Sequence, residues 1–241
     1  MKHIFLTSFP FCGPGKPLNE QNRFAERLSF CLKGARKALF IASNPADLPA
    51  TAYFSAELRH TLALSGIVFA EFATLDSRNP EQTQALTASS DFIVLAGGHV
   101  PTQNAFFAQI GLREYIRGCS GTILGISAGS MNAADTVYAQ QEEEGEAADP
   151  AYQRFLTGLN LTKAMLIPHY QAIRDQILDG QRLFEDITYP DSYGRQFIAL
   201  CDGSYLYSDG VRERICGESY LIQDGCVRQI CAEGEEYILT E

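Results

Sequence analysis

The chain is predicted to be an α/β protein with a mostly parallel, doubly wound sheet and an antiparallel β addition at its C-terminus. Over the first two-thirds, apolar runs alternate with segments of helical spacing, as expected for parallel strands covered by helices on both faces. From about residue 197, short β-rich runs separated by turn dipeptides replace this alternation. We therefore expect one domain, residues 1–241, with its β-rich part at about 197–241.

Short, nearly continuous apolar runs predict the parallel strands, because strands buried on both faces show little alternation. These runs cover residues 3–9, 37–43, 66–75, 91–98, 121–127 and 164–168. Helices are predicted between them at 18–34 and 50–64, where apolar residues recur every three or four positions. A third helix is expected near Pro101, since proline is favoured in the first turn.

Three Asp-Gly dipeptides separate the C-terminal β-rich runs, at Asp202-Gly203, Asp209-Gly210 and Asp224-Gly225. Asp-Gly is a preferred pair for tight hairpin turns because both positions tolerate a positive φ. The pattern predicts antiparallel strands packed on the same domain.

Composition limits the classes of partner. The 241 residues are 46% hydrophobic and carry a formal net charge of −10, so the chain can bury a full core without disulfides or a metal. The negative charge argues against nucleic acids and anionic membranes as main partners.

No apolar run reaches the roughly 18 residues of a membrane span, and the N-terminus has no signal-peptide apolar region. We expect a cytoplasmic protein that is a monomer or a homodimer.

The spacing of the cysteines disfavours a structural zinc site. Seven cysteines occur with no C-x-x-C pair, the spacing that structural zinc sites use, and most lie in apolar runs as expected for reduced thiols. We expect neither metal nor cofactor. Any imidazole chemistry must use one of four histidines, His3, His60, His99 and His169.

The most informative motif is G-x-S-x-G at residues 125–129, which directly follows a predicted strand. In a strand-to-helix turn of this kind, the serine is strained and its hydroxyl is exposed above the sheet. Ser127 is therefore the candidate nucleophile. The amide of Ala128 would face the oxygen that becomes negative during acyl transfer.

A serine nucleophile usually needs a histidine base, and His169 is the only histidine after Ser127. It follows the apolar run 164–168, and the ends of strands are where catalytic residues gather in open α/β sheets. The competing interpretation is a structural histidine at the end of a strand. His99 follows Gly97-Gly98 and could line the site or shape that loop.

Asp202 is the candidate acid that orients His169, because it ends a predicted strand. The alternative for Asp202 is a role only in the turn formed by Asp202-Gly203. Four other carboxylates are also candidates for the orienting acid: Asp135, Glu185, Asp186 and Asp191. An α/β-hydrolase has the order serine, acid, histidine. No histidine follows His169, so the order Ser127, His169, Asp202 disfavours an ordinary esterase or lipase.

A second oxyanion donor is expected from the loop that closes the strand at 91–95. Glycines at positions 97 and 98 permit a ligand to approach the backbone closely, and the amide of Gly98 is the candidate. A plain strand-to-helix turn is the alternative.

The acidic run 142–149 is most simply a solvated loop, with binding of a cationic substrate as the other interpretation.

Four motifs, LAGGHVPTQN, GISAGS, IPHY and ALCDGS, occur in this order along the chain. Together they resemble the peptidase E family of serine peptidases, the aspartyl dipeptidase group related to cyanophycinases. The resemblance extends over nearly the whole chain. It implies a fold similar to class I glutamine amidotransferases, with serine in place of their elbow cysteine, which disfavours a glutaminase.

By this resemblance, Ser127 is the nucleophile, His169 the general base, and Gly98 and Ala128 the oxyanion donors. The family's third member is typically a glutamate before glycine, where this chain has Asp202. The family's Gly-Gly loop usually continues with Asn-Thr, where this chain has His99-Val100.

The best-known family members cleave dipeptides with an N-terminal aspartate, and a cationic residue after the catalytic histidine binds the aspartate side chain. Arg182 is the expected counterpart, with Arg174 as the second choice and a surface arginine as the alternative. His99 is a further candidate for substrate contacts.

The sequence thus predicts a serine peptidase that hydrolyses short peptides through an acyl-enzyme. Two other functions stay open: an esterase or amidase on the same scaffold, and an inactive homologue that binds a ligand.

Overall fold

The computed structural model describes residues 2–239. Its strands are β1 (Ile4–Thr7), β2 (Lys37–Ile41), β3 (Glu71–Leu75), β4 (Phe92–Leu95), β5 (Thr122–Ile126), β6 (Thr136–Tyr138), β7 (Phe155–Thr157), β8 (Met165–Ile167), β9 (Ile177–Leu178), β10 (Gln181–Arg182), β11 (Gln196–Leu200), β12 (Tyr205–Ser208), β13 (Glu213–Cys216), β14 (Ser219–Gln223), β15 (Cys226–Cys231) and β16 (Glu236–Ile238).

The α-helices are α1 (Phe24–Cys31), α2 (Leu48–Leu64), α3 (Thr83–Ser89), α4 (Val100–Gln109), α5 (Leu112–Arg117), α6 (Ala128–Asn132), α7 (Tyr170–Ile173) and α8 (Tyr189–Asp191). Short 3-10 helices occupy Gln21–Arg23 and Pro80–Gln82, and a π-helix occupies Leu183–Thr188.

The central sheet has eight strands in the order β16-β13-β12-β1-β5-β4-β2-β3. The five strands from β1 to β3 in this order are parallel, and β12, β13 and β16 continue the sheet in antiparallel fashion. A second sheet has the order β15-β14-β11-β8, in which β11 and β8 are parallel. The prediction of a mostly parallel α/β sheet with a C-terminal antiparallel addition is confirmed.

The central strands read as continuous apolar runs because apolar layers cover both faces of the sheet. In β4, Ile93 and Leu95 belong to one buried cluster, whereas Phe92 and Val94 belong to another on the opposite face. Successive side chains on a strand point to opposite faces. Every position of such a strand is therefore apolar.

Two predicted elements are shorter than expected. Helix α1 begins at Phe24 rather than near residue 18, because Asn22 and Arg23 have φ angles of 52° and 60° that interrupt the helical path. Strand β3 pairs only from Glu71, and residues 67–70 connect it to the turn at Gly66 that follows helix α2. Helix α2 agrees closely with its prediction, and Asp47 caps it by accepting a 3.0 Å hydrogen bond from the amide of Ala50.

The three Asp-Gly dipeptides have different roles. Asp224-Gly225 forms the two-residue hairpin between β14 and β15, and Asp209-Gly210 lies in the four-residue loop between β12 and β13. Asp202-Gly203 forms no hairpin, because β11 and β12 belong to different sheets. That dipeptide instead carries the chain from one sheet to the other.

The carboxyl ends of the parallel strands meet at one edge of the central sheet. Ser8 follows β1, Ser43 follows β2, Gly97-Gly98 follow β4, and Ser127 follows β5. In open α/β sheets this edge is the usual place for a ligand site. Among residues 2–239, no helix has the length and apolar character needed to cross a membrane.

Candidate active site

Ser127 occupies a sharp turn between β5 and α6, as the motif predicts. Its backbone has φ 49° and ψ −112°, a conformation that costs roughly 1–3 kcal/mol in a residue with a side chain. The turn is held because the Ser127 amide donates a 3.0 Å hydrogen bond to Thr7 O and its carbonyl accepts a 2.8 Å bond from the Ser130 amide. A side chain at Gly129 would overlap the carbonyl oxygen of Leu95, so the last glycine of the motif permits close packing.

His169 lies at the end of β8 and directly before α7. Its φ of 60° turns the chain sharply after the strand. The ring nitrogen Nε2 lies 2.9 Å from Oγ of Ser127. The two candidate residues, 42 positions apart in sequence, are therefore within hydrogen-bonding distance.

Asp202 lies on the other side of the same imidazole. Its Oδ1 is 2.7 Å from Nδ1 of His169. Strands β8 and β11 are parallel neighbours, with Ile167 opposite Ala199, so the residues that follow them are brought together. The structure thus forms an unbroken hydrogen-bonded chain from Ser127 through His169 to Asp202.

Three of the other candidate acids pair with arginines, and the fourth is exposed. Asp135 pairs with Arg113 at 2.6 Å, and Asp191 pairs with Arg154 at 3.2 Å. Glu185 is exposed on the π-helix. Among the described residues, Asp202 is the acid whose carboxylate hydrogen bonds to the His169 ring.

Two residues that the sequence analysis did not single out complete the surroundings of Asp202. Oγ of Ser8 donates a 2.6 Å hydrogen bond to Oδ1 of Asp202 and accepts a 2.7 Å bond from the backbone amide of His169. The side-chain amide of Gln171 donates to Oδ2 at 2.6 Å, and its oxygen accepts from the Asp202 amide at 3.0 Å. Their positions after β1 and after His169 were the available signals.

Hydrogen bonding sets the charge state of Asp202. Partial burial raises the pKa of its carboxyl, but hydrogen bonds from His169, Ser8 and Gln171 and the charge of His169 outweigh burial, so the pKa lies below its ordinary value. Asp202 is therefore ionised at neutral pH. An ionised acceptor favours a proton on Nδ1 of His169, which leaves Nε2 free to accept the serine proton.

The Gly97-Gly98 loop lies beside the nucleophile. A Cβ added at Gly97 would be 3.5 Å from Cβ of Ser127. Gly98 has a φ of 150°, and a side chain there would overlap Oγ of Ser43, so this position requires glycine. Within residues 2–239 the amides of Gly98 and Ala128 donate to no acceptor. Neither predicted donor is therefore occupied by another group of the described chain.

The acidic segment 142–149 contacts the residues after Gly98 and is not only a solvated loop. His99 Nε2 is 2.8 Å from Oε1 of Glu146, and its Nδ1 is 2.7 Å from Oγ1 of Thr102. The Val100 amide donates to Glu142 at 2.9 Å. Both ring nitrogens of His99 are therefore engaged in holding this loop.

In the part of the chain that the structure describes, one group of side chains has atoms close enough to bind a cation. His99, Glu143 and Glu146 each present a potential ligand atom, all within 4.8 Å of one another. Two hydrogen bonds already account for their proximity, because Glu146 contacts the His99 ring and accepts from the Glu143 amide.

The two arginines suggested by the family resemblance are paired with neighbouring carboxylates. The guanidinium of Arg182 lies 2.6 Å from Asp186, which also accepts from the Arg182 backbone amide. These hydrogen bonds lower the pKa of Asp186 to about 2. Arg174 pairs with Asp175 at 3.2 Å. An acidic substrate would have to compete with these carboxylates.

The arrangement of Ser127, His169 and Asp202 is suited to nucleophilic catalysis. An imidazole in contact with a serine hydroxyl can take its proton, and a carboxylate on the far nitrogen stabilises the resulting imidazolium. Two free amides beside the serine can stabilise an oxyanion.

Comparison with solved structures found similar folds at low sequence identity. The fold is similar to that of a peptidase from an acI-B1 Actinobacterium, with a TM-score of 0.66, 16% identity, and coverage of 99% of this chain and 97% of that chain. It is also similar to a putative peptidase E protein from Listeria monocytogenes EGD-e, with a TM-score of 0.61, 16% identity, and coverage of 89% and 98%.

Comparison at the level of sequence places the chain in a family. A search of curated proteins found no match. The model of peptidase family S51 matches residues 17–215, most of the chain. The chain therefore belongs to peptidase family S51 and is a peptidase of the serine type.

Proposed function

We propose that this protein is a dipeptidase-like serine peptidase that hydrolyses short peptides through an acyl-enzyme. The observation that carries the proposal is the hydrogen-bonded chain from Ser127 Oγ to His169 Nε2 and from His169 Nδ1 to Asp202 Oδ1, at 2.9 and 2.7 Å. The preference for short peptides rests on the resemblance of the four sequence motifs to the peptidase E family, and the fold is similar to that of a putative peptidase E protein.

In the first half of the reaction, Oγ of Ser127 attacks the carbonyl carbon of the scissile peptide bond while His169 takes the hydroxyl proton. The amides of Gly98 and Ala128 bind the oxyanion of the tetrahedral intermediate. The carbon–nitrogen bond then breaks, and His169 gives its proton to the leaving amine. The acyl group remains on Ser127 as an ester.

In the second half, water replaces the amine. His169 takes a proton from the water as its oxygen attacks the ester carbonyl, and the same two amides bind the new oxyanion. When the ester bond breaks, His169 returns the proton to Ser127 Oγ. Asp202 stays ionised throughout and stabilises the positive charge on the imidazole.

A labelling experiment tests this proposal. The wild type and Ser127→Ala are incubated with a serine-reactive phosphonate, and mass spectrometry locates the adduct. We expect labelling on Ser127 and a loss of at least about a thousandfold in peptide hydrolysis for Ser127→Ala. Ser77→Ala, which changes an exposed serine, should keep full labelling and activity.

The substrate panel contains dipeptides, among them an N-terminal aspartyl dipeptide, together with longer peptides and simple esters. Hydrolysis of dipeptides supports the proposal. Hydrolysis of esters without peptides would show an esterase, and a Ser127→Ala variant with full peptidase activity would remove Ser127 from the mechanism.

A further inference from the structure

We propose that the cavity beside Ser127 binds a large apolar side chain, best an aromatic ring, of the residue whose carbonyl Ser127 attacks. This inference rests on the proposed peptidase mechanism and adds the substrate class. It predicts a preference for N-terminal phenylalanine over N-terminal aspartate.

The cavity has a volume of about 370 Å³, within the roughly 300–1,000 Å³ typical of small-molecule sites. Its walls are mainly aromatic and aliphatic. They include Phe9, Phe11, Phe40, Tyr53, Phe54 and Leu58. A site with this lining favours an apolar group, because burial of apolar surface is the main attraction that it offers.

The cavity is continuous with the candidate active site. Gly97, Gly98 and Ile126 line it, and a Cβ at Gly97 would be 3.5 Å from Cβ of Ser127. The ring of Phe9, on the cavity wall, has its centroid 6.4 Å from that of His169. A side chain in the cavity would therefore lie next to the reacting carbonyl.

The charges around the cavity disfavour an acidic side chain. Glu57 lines the wall, and the described lining residues include no lysine, arginine or histidine. A substrate carboxylate placed here would be desolvated and repelled by Glu57 without a cation to compensate. Arg182 and Arg174 do not line this cavity and pair with carboxylates of their own.

The lining also indicates which side of the scissile bond is bound. The cavity is lined by Gly98, whose amide is a candidate oxyanion donor, and by Ile126, which precedes the nucleophile. The leaving amine must instead meet His169, which does not itself line the cavity, although the ring of the wall residue Phe9 lies near it. We therefore assign the cavity to the acyl side.

Two aromatic residues at the mouth of the cavity are unusually exposed. Tyr53 and Phe54 on α2 are 56% and 57% exposed, and their rings pack edge to face with centroids 5.3 Å apart. Grouped exposed aromatic residues often mark a binding surface. A substrate ring would cover part of this surface.

The experiment compares four dipeptides, Phe-Ala, Ala-Phe, Ala-Ala and Asp-Ala, by kcat/KM for the release of free amino acids. We expect Phe-Ala to exceed Ala-Ala and Asp-Ala by about tenfold or more, with Ala-Phe close to Ala-Ala. A preference for Asp-Ala, or equal rates for all four, overturns the proposal. A preference for Ala-Phe overturns the assignment to the acyl side.

Two variants locate the preference in the cavity. Phe54→Ala should lower the ratio of Phe-Ala to Ala-Ala by about threefold or more, since it removes a wall that contacts the ring. Phe30→Ala, a matched change of a 78% exposed phenylalanine on α1, should leave the ratio unchanged. An unchanged ratio in Phe54→Ala would place the specificity elsewhere and contradict the proposal.

A binding measurement separates failure of this inference from failure of the proposed function. Calorimetry with the Ser127→Ala variant compares the binding of phenylalaninamide with that of the α-amide of aspartic acid, whose side-chain carboxylate is free. No turnover is needed. Tighter binding of phenylalaninamide supports the cavity assignment even if the phosphonate fails to label Ser127. Equal or weaker binding overturns it even if Ser127 is labelled.

Discussion

Oγ of Ser8 donates a 2.6 Å hydrogen bond to Oδ1 of Asp202, the same oxygen that contacts the His169 ring. Ser8 is fully buried and also accepts a 2.7 Å bond from the His169 backbone amide. One hydroxyl thus holds both the acid and the backbone of the candidate base. In the proposed mechanism Ser8 would be a positioning residue, which acts through His169 and Asp202.

The first prediction concerns Ser8→Ala. We expect kcat to fall by roughly 10–100-fold, the cost of one hydrogen bond to a charged group, with little change in KM because Ser8 does not line the substrate cavity. The measurement is steady-state kinetics with one dipeptide. If KM instead rose by roughly 10–100-fold while kcat stayed unchanged, Ser8 would be assigned to substrate binding.

The same variant has a pH signature in stability. The pKa of Asp202 is lowered in the folded protein, so its ionised form adds stability above the unfolded pKa, and this stability is lost as the pH falls through the folded pKa. Loss of the Ser8 hydrogen bond raises the folded pKa. The gap in unfolding free energy between wild type and Ser8→Ala should therefore be larger at neutral pH than in acid, measured by urea titration. A gap that does not depend on pH would show a purely steric role for Ser8.

The second prediction concerns Asp202→Asn. The change removes the charge that stabilises the imidazolium and no longer enforces the productive His169 tautomer, so kcat should fall by about a thousandfold or more. Glu185→Gln is the matched control, since Glu185 is exposed. A normal rate for Asp202→Asn would assign the acid role to another carboxylate.

The third prediction separates stability from activity at the nucleophile. Ser127 has a φ of 49°, so Ser127→Gly should relieve backbone strain and raise the free energy of unfolding by about 1 kcal/mol, after the larger entropy of unfolded glycine is subtracted. Ser127→Ala removes the same hydroxyl and keeps the strain. Both variants should be inactive, and denaturant titration should show only the glycine variant stabilised. Equal stability of the two would mean that the turn is unstrained.

The fourth prediction concerns Gly98→Ala. A side chain at φ 150° is strained and would also overlap Ser43, so the loop must move and carry its amide away from the proposed oxyanion position. We expect kcat to fall about 100-fold or more. Gly34→Ala is the control, because Gly34 also has a positive φ, 87°, but faces open space. If both variants lost the same activity, strain alone would explain the effect.

Much of the fold could be predicted from sequence because it depends on local patterns. The apolar runs at 37–43, 91–98 and 121–127 each contain a strand, since a strand covered on both faces needs apolar residues at every position. The predicted helix at 18–34 and strand at 66–75 were too long. The helix prediction extended across the backbone turn at Arg23, and the strand prediction included the unpaired residues 67–70. An apolar pattern alone reports neither a turn nor the absence of a neighbouring strand.

In the candidate site too, local patterns identify some residues, and only the fold identifies the others. Ser127 was identifiable from its motif, and His169 because it is the only histidine after Ser127, so the sequence alone indicated the candidate nucleophile and the candidate base. The acid and its support were not determined locally. Asp202 competed with other carboxylates, and Ser8 carried no motif, because both depend on which strands lie side by side.

The sequence by itself therefore determined the type of sheet and the chemical groups that could react, since both follow from the order of side chains along the chain. Only the tertiary structure decided which carboxylate contacts the His169 ring, that Arg182 is paired with Asp186, and that an aromatic cavity adjoins Ser127. These facts depend on contacts between strands and loops far apart in sequence, where packing and charge pairing in three dimensions select among groups that look equivalent along the chain.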